Sequence, residues 1–121
     1  MKTRLVVDDS KVVRMVARKI LEELGFDVSE AEDGQVALDM SMERVPDVVL
    51  LDWNMPIMSG IEYLRALRVT EEGKRSVVVF CTTENDLSHI QEGIAAGANE
   101  YIMKPFDSYI IQSKFVQTGV P

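Results

Sequence analysis

Val48-Val49-Leu50-Leu51-Asp52 sets four aliphatic residues side by side, with no polar position between them, and ends on an acid. A strand with one wet face alternates polar and apolar residues, whereas an unbroken apolar run is covered on both faces, as the central strands of a parallel sheet are. Three further runs have the same form. Leu5-Val6-Val7 leads into Asp8-Asp9, Val77 to Cys81 into Thr82, and Tyr101-Ile102-Met103 into Lys104. Open α/β sheets carry their ligand chemistry at the carboxyl ends of the strands, so these five polar residues are the candidate site.

Helical signals fill the intervals. Ser10 is an N-cap for a helix with Val12, Val13, Val16, Ala17, Ile20 and Leu24 at helical spacing, and Gly25 is its stop. Phe26 and Val28 alternate with Asp27 and Ser29 as a strand, and Asp33-Gly34 opens a helix bearing Val36, Ala37 and Met40, bounded by Pro46. After the loop Met55 to Gly60, a third helix turns Ile61, Leu64 and Leu67 inward and Glu62, Arg65 and Arg68 toward water, with Glu71 to Lys74 as a polar connection. Asp86 caps a fourth helix with Leu87, Ile90 and Ile94, ended by Gly97; Asp107 begins a fifth with Ile110, Ile111 and Phe115, closed by Gly119. Five βα units without repeats or linkers predict an α/β fold: a doubly wound parallel sheet with helices on both faces, joined by right-handed crossovers.

The chain has 121 residues, 46% of them apolar, which suits one domain spanning 1–121 with one core. Twenty acidic residues against thirteen basic ones give a net charge of −7, so direct binding to nucleic acid is not expected. The single cysteine, Cys81, lies in an apolar run and points to a reducing compartment. Met1 to Arg4 passes straight into a short apolar run, too short for a signal peptide or a membrane span, so the expected location is cytoplasmic with no membrane contact.

Each candidate residue has an ordinary structural use taken singly. Asp8-Asp9 favours a helix amino terminus, Asp52 is a common turn acid, Thr82 is a capping hydroxyl, and Lys104 is a solvated lysine. Together on one sheet edge they have a different meaning. Three converging carboxylates repel, so they need either raised pKa values or a hard divalent cation with oxygen ligands among them, and Mg²⁺ fits the latter description best. A compact ammonium and a hydroxyl beside such a cation suit a phosphoryl group.

The motifs Val7-Asp8-Asp9-Ser10, Leu51-Asp52-Trp53-Asn54-Met55-Pro56, Gly60, Thr82-Thr83-Glu84, Gly97-Ala98 and Tyr101 to Phe106 resemble those of response-regulator receiver domains of the CheY-like class, over essentially the whole chain. The resemblance implies a flavodoxin-like (βα)5 sheet of strand order 2-1-3-4-5. It makes Asp52 the phosphorylation site, receiving a phosphoryl group from a histidine kinase or phosphotransfer protein. Asp9 and Asp52 would bind Mg²⁺ directly, Asp8 through water and Asn54 through its backbone carbonyl. Thr82 and Lys104 would hold phosphoryl oxygens, and Thr82 and Tyr101 would form the switch, Tyr101 turning from exposed to buried. It further implies a cis bond at Lys104-Pro105.

The expected function is a stand-alone receiver in two-component signalling, not an enzyme beyond its own phosphorylation and slow dephosphorylation. Trp53, Asn54, Glu84 and Tyr101 lean toward chemotaxis; a phosphorelay shuttle or phosphate sink is the alternative. Its downstream protein target is expected on the fourth helix, fifth strand and fifth helix, with Ser88, His89, Glu92 and Tyr101 at the contact face and His89 read as a solvated helix residue. A Mg²⁺-dependent phosphatase with an aspartyl nucleophile is the rival of a different class, but it needs a second acid where Asn54 stands. A flavodoxin-like cofactor binder would need a glycine- or hydroxyl-rich phosphate loop in place of these acids.

Overall fold

The computed structural model describes residues 3–53, 55–82, 87–103, 106 and 108–117, with backbone alone for 87, 108 and 114–117. Strands β1 (Thr3–Val7), β2 (Asp27–Ala31), β3 (Val48–Asp52), β4 (Val77–Thr82) and β5 (Glu100–Met103) alternate with helices α1 (Lys11–Glu23), α2 (Gly34–Glu43), α3 (Gly60–Val69), α4 (Leu87–Ala95) and α5 (Ser108–Gln117). All four strand pairings are parallel and the order is β2-β1-β3-β4-β5, as expected.

Strand periodicity divides the core into two layers. Leu5, Val7, Val49, Leu51, Val78 and Phe80 face one side with Ala37 of α2 and Tyr63, Leu64 and Leu67 of α3. Val6, Val48, Leu50, Val79, Cys81 and Ile102 face the other with Ala17 and Leu21 of α1 and Ile111 of α5. Every residue of Val48 to Leu51 is at most 3% exposed, so the run is covered on both faces. Because β1 lies between β2 and β3, the chain reverses its direction of travel there, and a crevice opens at the carboxyl ends of β1 and β3.

The helix boundaries follow from local chemistry. Ser10 caps α1 by accepting the Val13 N–H, Asp33 caps α2 by accepting that of Val36, and Ser59 with Glu62 forms a reciprocal capping box on α3. Gly25 and Gly97 take left-handed φ values of 93° and 114° where α1 and α4 end. Asp86, Asp107 and Gly119 lie outside the described residues, as does the side chain of Phe115. Among the described residues no helix is long and apolar enough to cross a membrane.

Three details differ from the sequence reading. On α1 the buried stripe runs through Ala17 and Leu21, leaving Val12 69% and Val16 46% exposed, because a helix on one layer buries a single narrow face. The connection after α3 includes a 3-10 turn, Glu72–Arg75. Arg68 does not face water: it donates to the carbonyls of Gly73, Ser76 and Gly97 and to Asn99 Oδ1, tying α3 to the entry of β4 and the turn before β5. Its planar fork satisfies several loop carbonyls at once, which an exposed position could not require.

On the opposite layer, Glu30 accepts from Arg14 Nε at 3.1 Å and Arg18 Nη1 at 2.9 Å. The Arg18 hydrogen bond holds its carboxyl below the usual range. A depressed carboxylate stabilises the fold above its unfolded pKa and loses that contribution as pH falls through the folded value. Glu30→Gln should therefore lower stability by about 1 kcal/mol or less at neutral pH, and the gap should narrow as pH falls below the ordinary glutamate value of about 4.3. Urea titrations across this range check it.

Candidate functional site

The crevice receives its first two acids from the β1–α1 turn. Asp8 continues the sheet by donating its N–H to the Ala31 carbonyl at 3.1 Å, while its Oδ1 accepts the Ser10 N–H at 2.9 Å. Arg14, one turn into α1, reaches back with Nη1 to the Asp8 carbonyl oxygen at 2.6 Å. Asp8 is thus pinned through backbone and side chain and is only 3% exposed, whereas Asp9 projects into solvent.

Asp52 ends β3 and is half-buried, its Oδ1 accepting the Trp53 N–H at 3.0 Å. The loop beyond it folds back so that Gly60 donates to the Trp53 carbonyl at 3.0 Å. Glycine is required there, since a Cβ would overlap the carbonyl oxygen of Asp52. Ile57, within this loop, has φ of 68° and is 81% exposed. A β-branched residue in that left-handed conformation costs roughly 1–2 kcal/mol and here buries little surface. Ile57→Asn should accordingly raise stability by about 1 kcal/mol, read as a higher urea midpoint.

Carboxylate oxygens of Asp8, Asp9 and Asp52 lie within 4.8 Å of one another. The donors are all hard oxygens at the spacing that a shared divalent cation bridges, so these residues fit such an ion. Register places Thr82 one residue beyond the Asp52–Cys81 pair, at the end of the adjacent strand and 7% exposed. Tyr101 lies beside Phe80 on β5 and is half-buried. Asn54, Lys104 and the Lys104-Pro105 bond lie outside the described residues. Two roomier cavities, of about 570 and 200 Å³, sit at the opposite sheet edge near Pro46, one lined by Asp47 and Ser76 and the other by Thr3 and Arg4. They are remote from the acid cluster, which gathers at the carboxyl ends of the strands.

Next to this site the sequence reading missed Arg14 and misplaced His89. Arg14 gave no signal, because the carbonyl it reaches is defined only once the turn is built. His89 does not stand in solvent as a lone helix residue: its ring is stacked on Trp53, with centroids 4.7 Å apart and planes inclined by 21°. Gly93, inside α4, was the available clue, since an interior helix glycine marks a close approach.

The sequence model of the response regulator receiver domain matches residues 5–115. The chain belongs to this family. The receiver is 40% identical over 111 residues to the chemotaxis protein CheY of Pseudomonas aeruginosa, a match covering 91% of this chain and 90% of that one. It is 40% identical over 111 residues to CheY-3 of Vibrio cholerae, covering 91% and 85%. The solved structure of Vibrio cholerae chemotaxis protein CheY4 superposes with a TM-score of 0.92 at 33% identity, covering 98% of each chain. As a response regulator receiver domain it belongs to two-component signalling, and the family gives no support to the phosphatase alternative.

Proposed function

We propose that this receiver accepts a phosphoryl group on Asp52 from a phosphohistidine of a histidine kinase or phosphotransfer protein, and that it serves a chemotaxis pathway. The approach of three carboxylates within 4.8 Å at the carboxyl end of β1 and β3 carries the reading. An Asp52 carboxylate oxygen attacks phosphorus, the P–N bond breaks, and the departing imidazole leaves with its electron pair to be neutral once protonated by water. Asp8, Asp9 and Asp52, with the Asn54 carbonyl, would hold Mg²⁺, which when bound neutralises charge on the transferred oxygens. Thr82 and Lys104 would bind phosphoryl oxygens by hydroxyl donation and by charge.

The half-buried Tyr101 and the Thr82 hydroxyl would turn the modification into a change of the α4–β5–α5 face, where a downstream protein binds. The names of the relatives favour a chemotaxis target over a shuttle or sink. Trp53, the only tryptophan and the neighbour of Asp52, reports the event. Acetyl phosphate or beryllofluoride with Mg²⁺ should change its fluorescence, and an unchanged spectrum together with an unmodified intact mass would overturn the proposal.

A further inference from the structure

Three aromatic rings, Phe80, Trp53 and His89, run in a row from the sheet to the surface of α4, and Tyr101 packs beside them on β5. Tyr101 lies beside Phe80 in the β4–β5 register, the Phe80 ring centroid is 5.0 Å from that of Trp53, and Trp53 is stacked on His89 at 4.7 Å. Helix α4 comes unusually close to this row. A Cβ on Gly93 would stand 2.8 and 2.9 Å from Phe80 carbons and 3.4 Å from Trp53. Since Gly93 follows His89 by one helical turn, the glycine lets the helix settle and the histidine above it reach over the indole.

Between the row and the β5 edge lies a hollow of about 10 Å³, lined by Trp53, Phe80, Thr82, His89, Ile94 and Tyr101 among others. It holds about one water-sized sphere, far less than a phenol ring. His89 and Tyr101 are both half-buried and bound the hollow from different elements. Among the described residues the Tyr101 ring therefore gains space in this hollow only if a wall withdraws. Ile94 is the more exposed wall on α4, at 46%, but His89 is the one stacked on Trp53, the neighbour of Asp52, and so the one that a shift at the acceptor can move.

We infer that His89 is the gate of the Tyr101 switch: stacked on Trp53 it closes the hollow, and its withdrawal admits the tyrosine ring. The gate gives the Asp52 site a second route to α4. Trp53 is joined to the acceptor by the next peptide bond and to the helix by the stack, so a shift at Asp52 pulls on His89 directly. His89 is a positioning residue in this scheme, acting through Trp53 and Tyr101. Its regulatory role rests on the phosphoacceptor reading, while the closure of the hollow does not.

The test uses the full chain labelled with 3-fluorotyrosine, with the Tyr101 resonance assigned by Tyr101→Phe. Without Mg²⁺ or phosphoryl donor, His89→Ala should move that resonance toward the buried position and raise the inward population about 2- to 10-fold, the range for one lost aromatic pair. His89→Phe, which can still stack, should restore the wild-type position. The half-saturating beryllofluoride concentration should fall in the alanine variant by the same factor. A Tyr101 resonance identical in wild type and His89→Ala would overturn the gate, as would a phenylalanine variant that behaves like alanine. Absence of an Asp52 adduct in every variant would instead remove the phosphoacceptor reading, leaving the donor-free comparison to decide the gate.

Discussion

In the Asp52→Asn variant, acetyl phosphate with Mg²⁺ is expected to leave the intact mass unmodified and the Trp53 fluorescence flat. The substitution is nearly isosteric, and an amide oxygen can still accept the Trp53 N–H that Asp52 Oδ1 accepts at 3.0 Å. The loop and the turn at Gly60 should therefore persist, and a loss of response reports chemistry. That chemistry needs an anionic oxygen to attack phosphorus, which a neutral amide does not supply. Removing one of three crowded negative charges should also leave the variant at least as stable as the parent, giving a control on folding. An adduct that survives in Asp52→Asn would move the acceptor elsewhere.

The second large effect is at Asp9. Its carboxylate stands within 4.8 Å of two others, at a separation where like charges near a surface cost on the order of 1 kcal/mol or more. Two opposite outcomes should follow from Asp9→Asn. Without a divalent cation the variant should be more stable by about 1 kcal/mol, because one repulsion is relieved. With Mg²⁺ present the parent should gain stability by mass action, and the variant should need at least about tenfold more cation for the same gain, the scale set by loss of even an outer-shell partner. Thermal melts across a Mg²⁺ titration measure both. Curves for parent and variant that run parallel would take Asp9 out of the metal site.

Much of this molecule was legible in one dimension. The unbroken run Val48 to Leu51 could be satisfied only by cover on both faces, and Ser10 and Asp33 announced helix starts because a capping side chain bonds to a backbone N–H two or three residues on. Ser59, read as part of a loop, proved to cap α3. Arg68 and Tyr63 show where that legibility ends. Helical spacing put Arg68 on the wet side, but its acceptors at Gly97 and Asn99 lie 29 and 31 residues away. Tyr63 was not singled out, yet it is fully buried and hydrogen-bonded to Ser41 Oγ at 2.9 Å. The Ser41 hydroxyl already donates to the Ala37 carbonyl, so the tyrosine donates, and burial pushes its pKa up to about 12.

What the sequence determined by itself was the set of elements and the reactive residues at the ends of four of the five strands, since periodicity, capping and turn chemistry act over a few residues. The tertiary structure alone decided that Asp8, Asp9 and Asp52 meet, because their approach depends on β1 lying beside β3. It alone also laid His89 across Trp53, because a contact between residues 36 apart depends on how closely Gly93 lets α4 approach the sheet. Local bonding energies are written in neighbouring residues, whereas such meetings are settled by which strands pair and how deeply a helix packs.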